Sequence, residues 1–331
     1  MDFRTKLGIT LAIALMALAG LLLNISKETF SAKAQFVKTF PVMGTIGEFV
    51  WYDNISEENF IQGAKAAEQV YNKVIQVCNI YDNNSELSLL NKRAYKEEVV
   101  CSQLLWDILQ EARFAYKFSD GAFDISVKPL MDFWGFYKKN PNQKVDLIAL
   151  QKAKSLVGLD KVIFNDKKKS IRFTQDGMGF DLGGIAKGYA ADLAALEVSK
   201  YNIKSGMLNL GGNIRFLPLM PKNKTNYLVA IKSPENSNKS SGIVLEIKSN
   251  LAVSTSGNYE RFVWQDNKKI GHIMVPAVVK SPRKKYRSVS VIAQNAVTAD
   301  WLSTAIFVSG NAKFIEKVEI KLPGTKVVVI E

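Results

Sequence analysis

This 331-residue chain has one histidine, His272, and two cysteines, Cys78 and Cys101. Two thiols and one imidazole cannot complete a tetrahedral zinc site, so metal–sulfur chemistry and any two-histidine centre are excluded. No Gly-x-Ser-x-Gly elbow accompanies His272, which leaves a Ser-His-Asp triad without support. The Walker A spacing is missing, and Gly177-x-Gly179 fails the dinucleotide fingerprint because Leu182 occupies the place of its last glycine. No repeat or low-complexity linker divides the chain. No signature interleaving aromatics with lysines points to nucleic acid.

Hydrophobic residues make up 47% and charged residues 23% of the chain. These are ordinary values for a folded protein, and they exclude disordered, collagen-like and multi-span membrane classes. An excess of 44 Lys+Arg over 31 Asp+Glu gives a formal +13, which favours phosphorylated ligands, other polyanions or anionic membrane surfaces as partners. The basic residues are scattered apart from Lys167-Lys168-Lys169 and the run from Lys280 to Arg287.

Arg4 and Lys6 precede an uncharged run from Leu7 to Leu23, the positive-then-apolar pattern of an export signal. The run is also near the length that spans a bilayer. Residues 1–34 are therefore expected to be a signal peptide or a membrane anchor, and 35–331 one exported domain. Ala32-Lys33-Ala34 fits a small-x-small cleavage pattern, though far beyond the apolar run. In an exported protein Cys78 and Cys101 have two readings, a disulfide or separate small buried residues.

Patterning predicts an extended segment over 36–52 and helices over 56–81 and 102–118. A Gly-rich loop with aromatics spans 121–136, and a polar loop surrounds 140–144. Short strands are expected near Val162 and Ile171. A Gly-rich stretch from Met178 opens a helix running to about Tyr201. Strands at 207–210, 227–231, 243–247 and 251–254 read as a meander, with a surface loop at 233–241. A strand at 288–293, a helix at 296–309 and a strand at 326–330 close the chain. Helices and strands mix without regular βαβ alternation, so the class is α+β.

The strongest chemical motif is Asp181-Leu-Gly-Gly-Ile-Ala-Lys-Gly188 at a helix start. Bare glycine backbone and helix N–H groups favour an anion there, and Lys187 adds charge. Asp300 and Thr304 are four residues apart on a predicted helix, which puts both oxygens on one face. Carboxylate and hydroxyl oxygens suit a hard cation such as Mg²⁺. Gly121-Ala-Phe-Asp124 beside Phe133-Trp-Gly-Phe136 offers a carboxylate next to flat apolar rings, a surface that suits a planar ligand.

Together these segments resemble the bacterial ApbE family, the FAD:protein FMN transferases. The resemblance runs in order through Met43-Gly-Thr45, Tyr81 with Ser85-Glu-Leu87 and Asn91, Gly121 to Asp124, Pro129-Leu130, Trp134-Gly-Phe136 and Asp181 to Asp192. It continues through Asn209-Leu-Gly-Gly212, Ser256-Gly-Asn-Tyr259, His272-Ile273 and Thr298 to Thr304. It implies a single catalytic unit of mixed, largely antiparallel sheets packed with helices, with the FAD site in a cleft between two lobes. It also implies Mg²⁺-dependent transfer of FMN from FAD to a threonine of a target protein, typically a subunit of a membrane redox complex, leaving AMP and a phosphodiester-linked flavin. By position, Met43, Tyr81, Ala122, Phe123, Asp124, Asp181, Lys187 and Ile273 would contact FAD. Asp300, Thr304 and the Gly184 carbonyl would hold the metal. His272 is the candidate base, because an imidazole of ordinary pKa can accept a proton near neutrality. The implied location is the periplasm or the outer face of the inner membrane. The chain departs from the family where His-Ile is usually followed by a hydrophobic residue and Asp-Pro-Arg-Thr-Gly, since here Val275-Pro276-Ala277-Val-Val follow Met274. An FAD pyrophosphatase, with water in place of threonine at the same metal site, is one alternative, and the altered turn adds a non-catalytic flavin-binding protein as another.

Overall fold

The computed structural model describes residues 36–331 except 43–44, 53–54, 138–144, 236–239, 259–260, 266–267 and 277–285. The leader, Met43, Tyr259 and the loop at 140–144 lie outside the described residues, as do parts of the 233–241 loop and of the 280–287 run. Among the described residues no helix is long and apolar enough to cross a membrane.

The chain begins with the hairpin β1 (Phe36–Val42) and β2 (Thr45–Trp51), then α1 (Glu57–Cys78), α2 (Glu86–Arg93), β3 (Val99–Val100) and α3 (Gln103–Phe118). The short helices α4 (Lys128–Phe133) and α5 (Leu147–Ser155) precede β4 (Val162–Asn165), β5 (Ser170–Phe173) and α6 (Ala186–Ser199). Six strands follow: β6 (Gly206–Leu210), β7 (Asn213–Phe216), β8 (Tyr227–Lys232), β9 (Ser240–Ile247), β10 (Ala252–Gly257) and β11 (Phe262–Gln265). The last elements are β12 (Lys268–Gly271), β13 (Ser288–Ala293), α7 (Ala296–Ser309), α8 (Ala312–Lys321) and β14 (Lys326–Ile330).

Seven strands form one sheet in the order β1-β2-β6-β7-β10-β13-β14, every neighbouring pair antiparallel. The α+β class and the antiparallel sheet match the expectation. One face of this sheet packs on the helices through Phe49, Trp51, Tyr71, Leu208, Val289, Trp301 and Ile306. The other face is covered by the β8–β9 hairpin, where Ile214, Phe216, Val253 and Ile292 meet Ile231 and Ile247. Burial on both faces explains why all six residues of β13 are buried although its sequence alternates Ser-Val-Ser-Val. The expected meander is corrected here. The second and third of its strands, β8 and β9, leave the main sheet and among the described residues pair only with each other, because a hairpin can cover an apolar sheet face as well as extend its edge.

Helix α1 starts where Ser56 accepts the Asn59 N–H at 3.2 Å, but stops at Cys78 rather than reaching Tyr81. Asn79 turns extended and its side chain accepts the Tyr81 N–H at 3.1 Å, so Tyr81 leaves the helix on a turn. Cys78 and Cys101 are both free thiols, which resolves the two readings in favour of separate residues. Burial, with Glu86 nearby, pushes each up to about 12.

Helix α7 is enclosed, with Ala299, Trp301, Leu302, Ala305 and Ile306 fully buried, and its polar stripe of Asp300, Ser303 and Thr304 faces β10. Its start is fixed twice. Asn295 accepts the Thr298 N–H at 2.9 Å, and the Asp192 carboxylate, reaching from α6, accepts from Ala296 and Val297 at 2.9 and 2.8 Å. Asp192 also pairs with the mostly buried Arg215 at 3.2 Å. Asp192→Ala therefore strips the helix end and strands a guanidinium, with an expected loss of about 3 kcal/mol in urea unfolding. A loss below about 1 kcal/mol would show that the clamp does not hold α7 in place.

Candidate active site

The Gly-rich segment and α7 meet at one point. Gly188, in the first turn of α6, donates its N–H to Asp300 Oδ2 at 2.9 Å. A Cβ on Gly188 would stand 2.3 Å from the Ala296 carbonyl oxygen and 2.7 Å from Asp300 Cβ, so only glycine permits this crossing. Asp300 is buried, and desolvation raises its carboxyl pKa against the lowering pull of Lys187, the Gly188 N–H and Ser254. One turn on, Thr304 Oγ1 lies 3.0 Å from the Ser256 hydroxyl. A Cβ on Gly184 would stand 3.5 Å from that same Thr304 oxygen and 3.1 Å from the Phe123 ring, so Gly184, Thr304 and Phe123 are contiguous.

Strand β10 supplies the floor. Its period of two turns Ser254 and Ser256 onto α7, while Val253 joins the opposite core. Ser256 bonds both Thr304 and Ser303 (2.8 Å), and Ser303 donates to the Asp300 carbonyl at 2.9 Å. The Ser254 hydroxyl donates to Asn213 and stands 3.5 Å from Asp300 Oδ1. Asp300 Oδ1 is thus weakly served by the protein. The Asp300 carboxylate and the Thr304 hydroxyl, one turn apart on α7, are donors of the oxygen type that a hard cation prefers. Among the described residues no three His, Cys, Asp or Glu side chains converge as a metal site. A cation held here would rely on water and ligand oxygens for its remaining positions.

Asp181 stands on the other side of the glycine segment. Its backbone N–H bonds the Ile125 carbonyl at 2.7 Å, and Asn91 clasps the preceding Phe180 through both its N–H and C=O. Asp181 Oδ1 accepts the Gly183 N–H at 2.7 Å, and Oδ2 accepts the hydroxyl of Tyr137. Tyr137 lies edge-on to Tyr81 at 5.6 Å, and the Tyr81 hydroxyl accepts a hydrogen bond from Arg261 at 2.6 Å. Tyr137 and Arg261 were not expected as site residues. Tyr137 had no signal beyond its place after the Trp134-Gly-Phe136 cluster, and Arg261 none at all.

Ala122 and Phe123 are nearly buried, the latter held by its N–H to Ser119 Oγ at 2.9 Å. Asp124 turns inward. Its Oδ1 accepts from the Ser126 N–H and hydroxyl at 2.8 and 2.6 Å, and the Ser126 oxygen accepts the Gly158 N–H at 2.7 Å. Burial raises its carboxyl pKa in spite of those bonds. In this geometry Asp124 shapes the turn that presents Phe123.

His272 follows β12. Its Nδ1 is 3.1 Å from the Arg261 carbonyl oxygen, which only accepts, so Nδ1 carries the proton and Nε2 has the free lone pair. Burial first, then the charges of Arg261 and Lys187, lower the imidazole from 6.5 to about 4. Ile273 is fixed by its N–H to Asn258 Oδ1 at 3.0 Å. In the altered turn, Met274 packs into a small cluster with Leu130 and Val157, while Val275 is 41% exposed. Lys187 folds back to the Gly183 carbonyl at 3.0 Å, and its charge acts on both Asp300 and His272.

Fold and site define a class: an antiparallel α+β protein in which a glycine-rich, lysine-bearing helix start abuts a buried aspartate and a ring of hydroxyls. The ApbE family profile matches residues 43–329, and the chain belongs to the ApbE family. It is 26% identical over 305 residues to the FAD:protein FMN transferase of Vibrio cholerae, covering 90% of this chain and 88% of that one. It is 26% identical over 313 residues to the protein of the same name in Escherichia coli, covering 92% and 88%. The crystal structure of the ApbE protein from Thermotoga maritima superposes with a TM-score of 0.78 at 27% identity, over 89% of this chain and 93% of that one. The flavin transferase ApbE from Vibrio cholerae has a TM-score of 0.76 at 23% identity, over 89% and 92%, a likeness of fold.

Proposed function

We propose that this chain is an FAD:protein FMN transferase that uses Mg²⁺ to move FMN from FAD onto a threonine of a target protein, releasing AMP. The observation that supports this reading is that Gly184 adjoins Thr304 and Phe123 while Gly188, four residues on, bonds Asp300, which also feels the charge of Lys187. Tyr81, Phe123, Asp181, Lys187 and Ile273 are assigned to FAD, with Ala122 and Asp124 shaping the turn beside it. Asp300, Thr304 and the Gly184 carbonyl are assigned to Mg²⁺.

Asp300, Thr304 and the Gly184 carbonyl would hold Mg²⁺, which when bound would supply positive charge to offset that of the pyrophosphate and of departing AMP. Lys187 and the helix start bear the remaining phosphate charge. The threonine oxygen bonds to the FMN phosphorus, the bond to the bridging oxygen breaks with its electron pair leaving on AMP, and the threonine proton passes to His272 Nε2. The Arg261 carbonyl holds the imidazole in the tautomer that can take it. In the sequence, Arg4 and Lys6 ahead of the apolar run 7–23 support export of the domain 35–331 to the periplasm or the outer membrane face, with residues 1–34 as signal or anchor. A subunit of a membrane redox complex would meet the enzyme there.

The lowered imidazole sets a pH profile. A pKa lowered from 6.5 to about 4 keeps His272 neutral, and hence able to accept a proton, down to about pH 4. Transfer at saturating Mg²⁺ is expected to lack an acid limb near 6.5 in its pH–rate profile, and an observed limb there would contradict the assignment. His272→Ala is expected to slow transfer by about a hundredfold or more with FAD affinity unchanged; unaltered transfer kinetics would remove His272 as base.

Val275 and Ala277, where the family usually carries Asp and Arg, favour FAD hydrolysis as a second reading. Incubating the purified protein with FAD, Mg²⁺ and a threonine-bearing acceptor separates the readings. AMP with an acceptor heavier by one FMN-phosphoryl group establishes transfer. AMP with free FMN alone supports hydrolysis, and FAD binding without AMP identifies a non-catalytic flavin-binding protein.

A further inference from the structure

The β11–β12 hairpin stands apart from every other sheet: among the described residues its two strands pair only with each other. Its base is bolted to the active site. His272 bonds the Arg261 carbonyl through its backbone N–H at 3.1 Å as well as through its ring, and Arg261 reaches Tyr81. At the hairpin's root, Gly271 lies so close to Asn258 that a Cβ would stand 2.1 Å from its side chain.

Beyond that root the hairpin exposes an aromatic face. Phe262 and Trp264, two residues apart and so on one side, touch edge-to-face at 6.0 Å and remain 39% and 56% exposed. Lys269, the register partner of Trp264, lies over the Phe262 ring at 3.8 Å. A two-stranded ribbon is marginal alone, and apolar rings left uncovered beside a reaction centre mark a contact surface. The charge is equally one-sided. From Arg261 to Gly271 the sequence has three Lys or Arg and one Asp, a formal +2.

We propose that this hairpin is the docking surface for the acceptor protein, taking an extended acidic segment along its aromatic face so that the neighbouring threonine reaches His272. The inference rests on the reading of the chain as a transferase with a protein acceptor. Free strand edges supply main-chain hydrogen bonds to an extended segment, Phe262 and Trp264 take its alternate side chains, and Lys269 meets its acidic groups. An anionic membrane has the complementary charge as well, but the rigid coupling of the hairpin root to His272 favours the substrate that must be delivered there.

The test uses the purified full-length protein and short fluorescent peptides with one threonine flanked by acidic, neutral or basic residues. The acidic peptide is expected to bind at least about tenfold more tightly than the basic one. A Phe262→Ser, Trp264→Ser double variant should weaken it about tenfold, and Lys269→Glu should abolish the charge preference. FAD affinity should stay at the wild-type value in both variants. Equal binding of the three peptides, or wild-type binding by the double variant, overturns the proposal. So does unaltered peptide binding combined with loss of binding to phosphatidylcholine–phosphatidylglycerol vesicles, which would make the face a membrane contact. AMP release from FAD, followed in parallel, reports separately on the transferase reading: its absence in the wild type rejects that reading, while peptide binding still scores the surface.

Discussion

Asp300→Ala is expected to lower Mg²⁺-dependent turnover of FAD by at least about a thousandfold, some 4 kcal/mol of transition-state stabilisation, while the protein stays folded. Asp300 is the carboxylate at the meeting of α6 and α7, and its Oδ1 is weakly served by the protein. Its pKa is raised by burial, so ionisation there costs free energy that a bound cation offsets. Removing the group relieves that desolvation and leaves one N–H, that of Gly188, unpaired, at a cost of about 1–2 kcal/mol. The two effects on stability oppose each other, so thermal unfolding should shift little. Divalent-ion titration and AMP release together check the expectation. Turnover at the wild-type rate in Mg²⁺ would refute the metal assignment, and Asp300→Asn, which keeps an acceptor for Gly188, separates loss of charge from loss of the hydrogen bond.

Gly188→Ala is the second large effect, and its sign distinguishes local from tertiary control. Helix propensity alone favours alanine over glycine by about 1 kcal/mol inside a helix. At this position the added methyl meets the Ala296 carbonyl oxygen at 2.3 Å and Asp300 Cβ at 2.7 Å. Those atoms belong to backbone and to the root of a buried side chain, so relief requires α6 and α7 to separate. The expected outcome is destabilisation by about 3 kcal/mol in denaturant unfolding, the upper range of overpacking costs, with loss of Mg²⁺-dependent turnover in the protein that remains folded. Stabilisation by this substitution would mean that the crossing is looser than the structure has it, and the placement of Asp300 against the glycine segment would fall with it.

Much of the site was legible along the chain because its pieces are local. A helix start with glycines and a lysine, and an aspartate four residues before a threonine, are patterns within one or two turns. The long helices α1, α3 and α7 were legible for the same reason. The short helices α2, α4, α5 and α8 escaped, since stretches of 6–10 residues give too few turns for a period to stand out. The β11–β12 hairpin escaped as well, although Phe262 and Trp264 alternate, because a ribbon that covers no core has no buried side to betray it. The meander failed on a different count: each strand was near its place, but their partners were not.

The sequence by itself determined the class of the fold, the glycine-rich anion motif, the Asp300–Thr304 pair and the scarcity of imidazole and thiol groups that narrows the chemistry. Tertiary structure alone decided the rest. It brought Ser256 from β10 to Thr304, Tyr137 to Asp181 and Arg261 to Tyr81, and it left Cys78 and Cys101 unpaired. It also moved the one histidine from an ordinary imidazole to one with a pKa of about 4. The physical reason is range. Backbone periodicity and turn chemistry act over a few residues and are written in order along the chain, whereas desolvation, close helix crossing and strand partnership depend on groups brought together from distant parts of it.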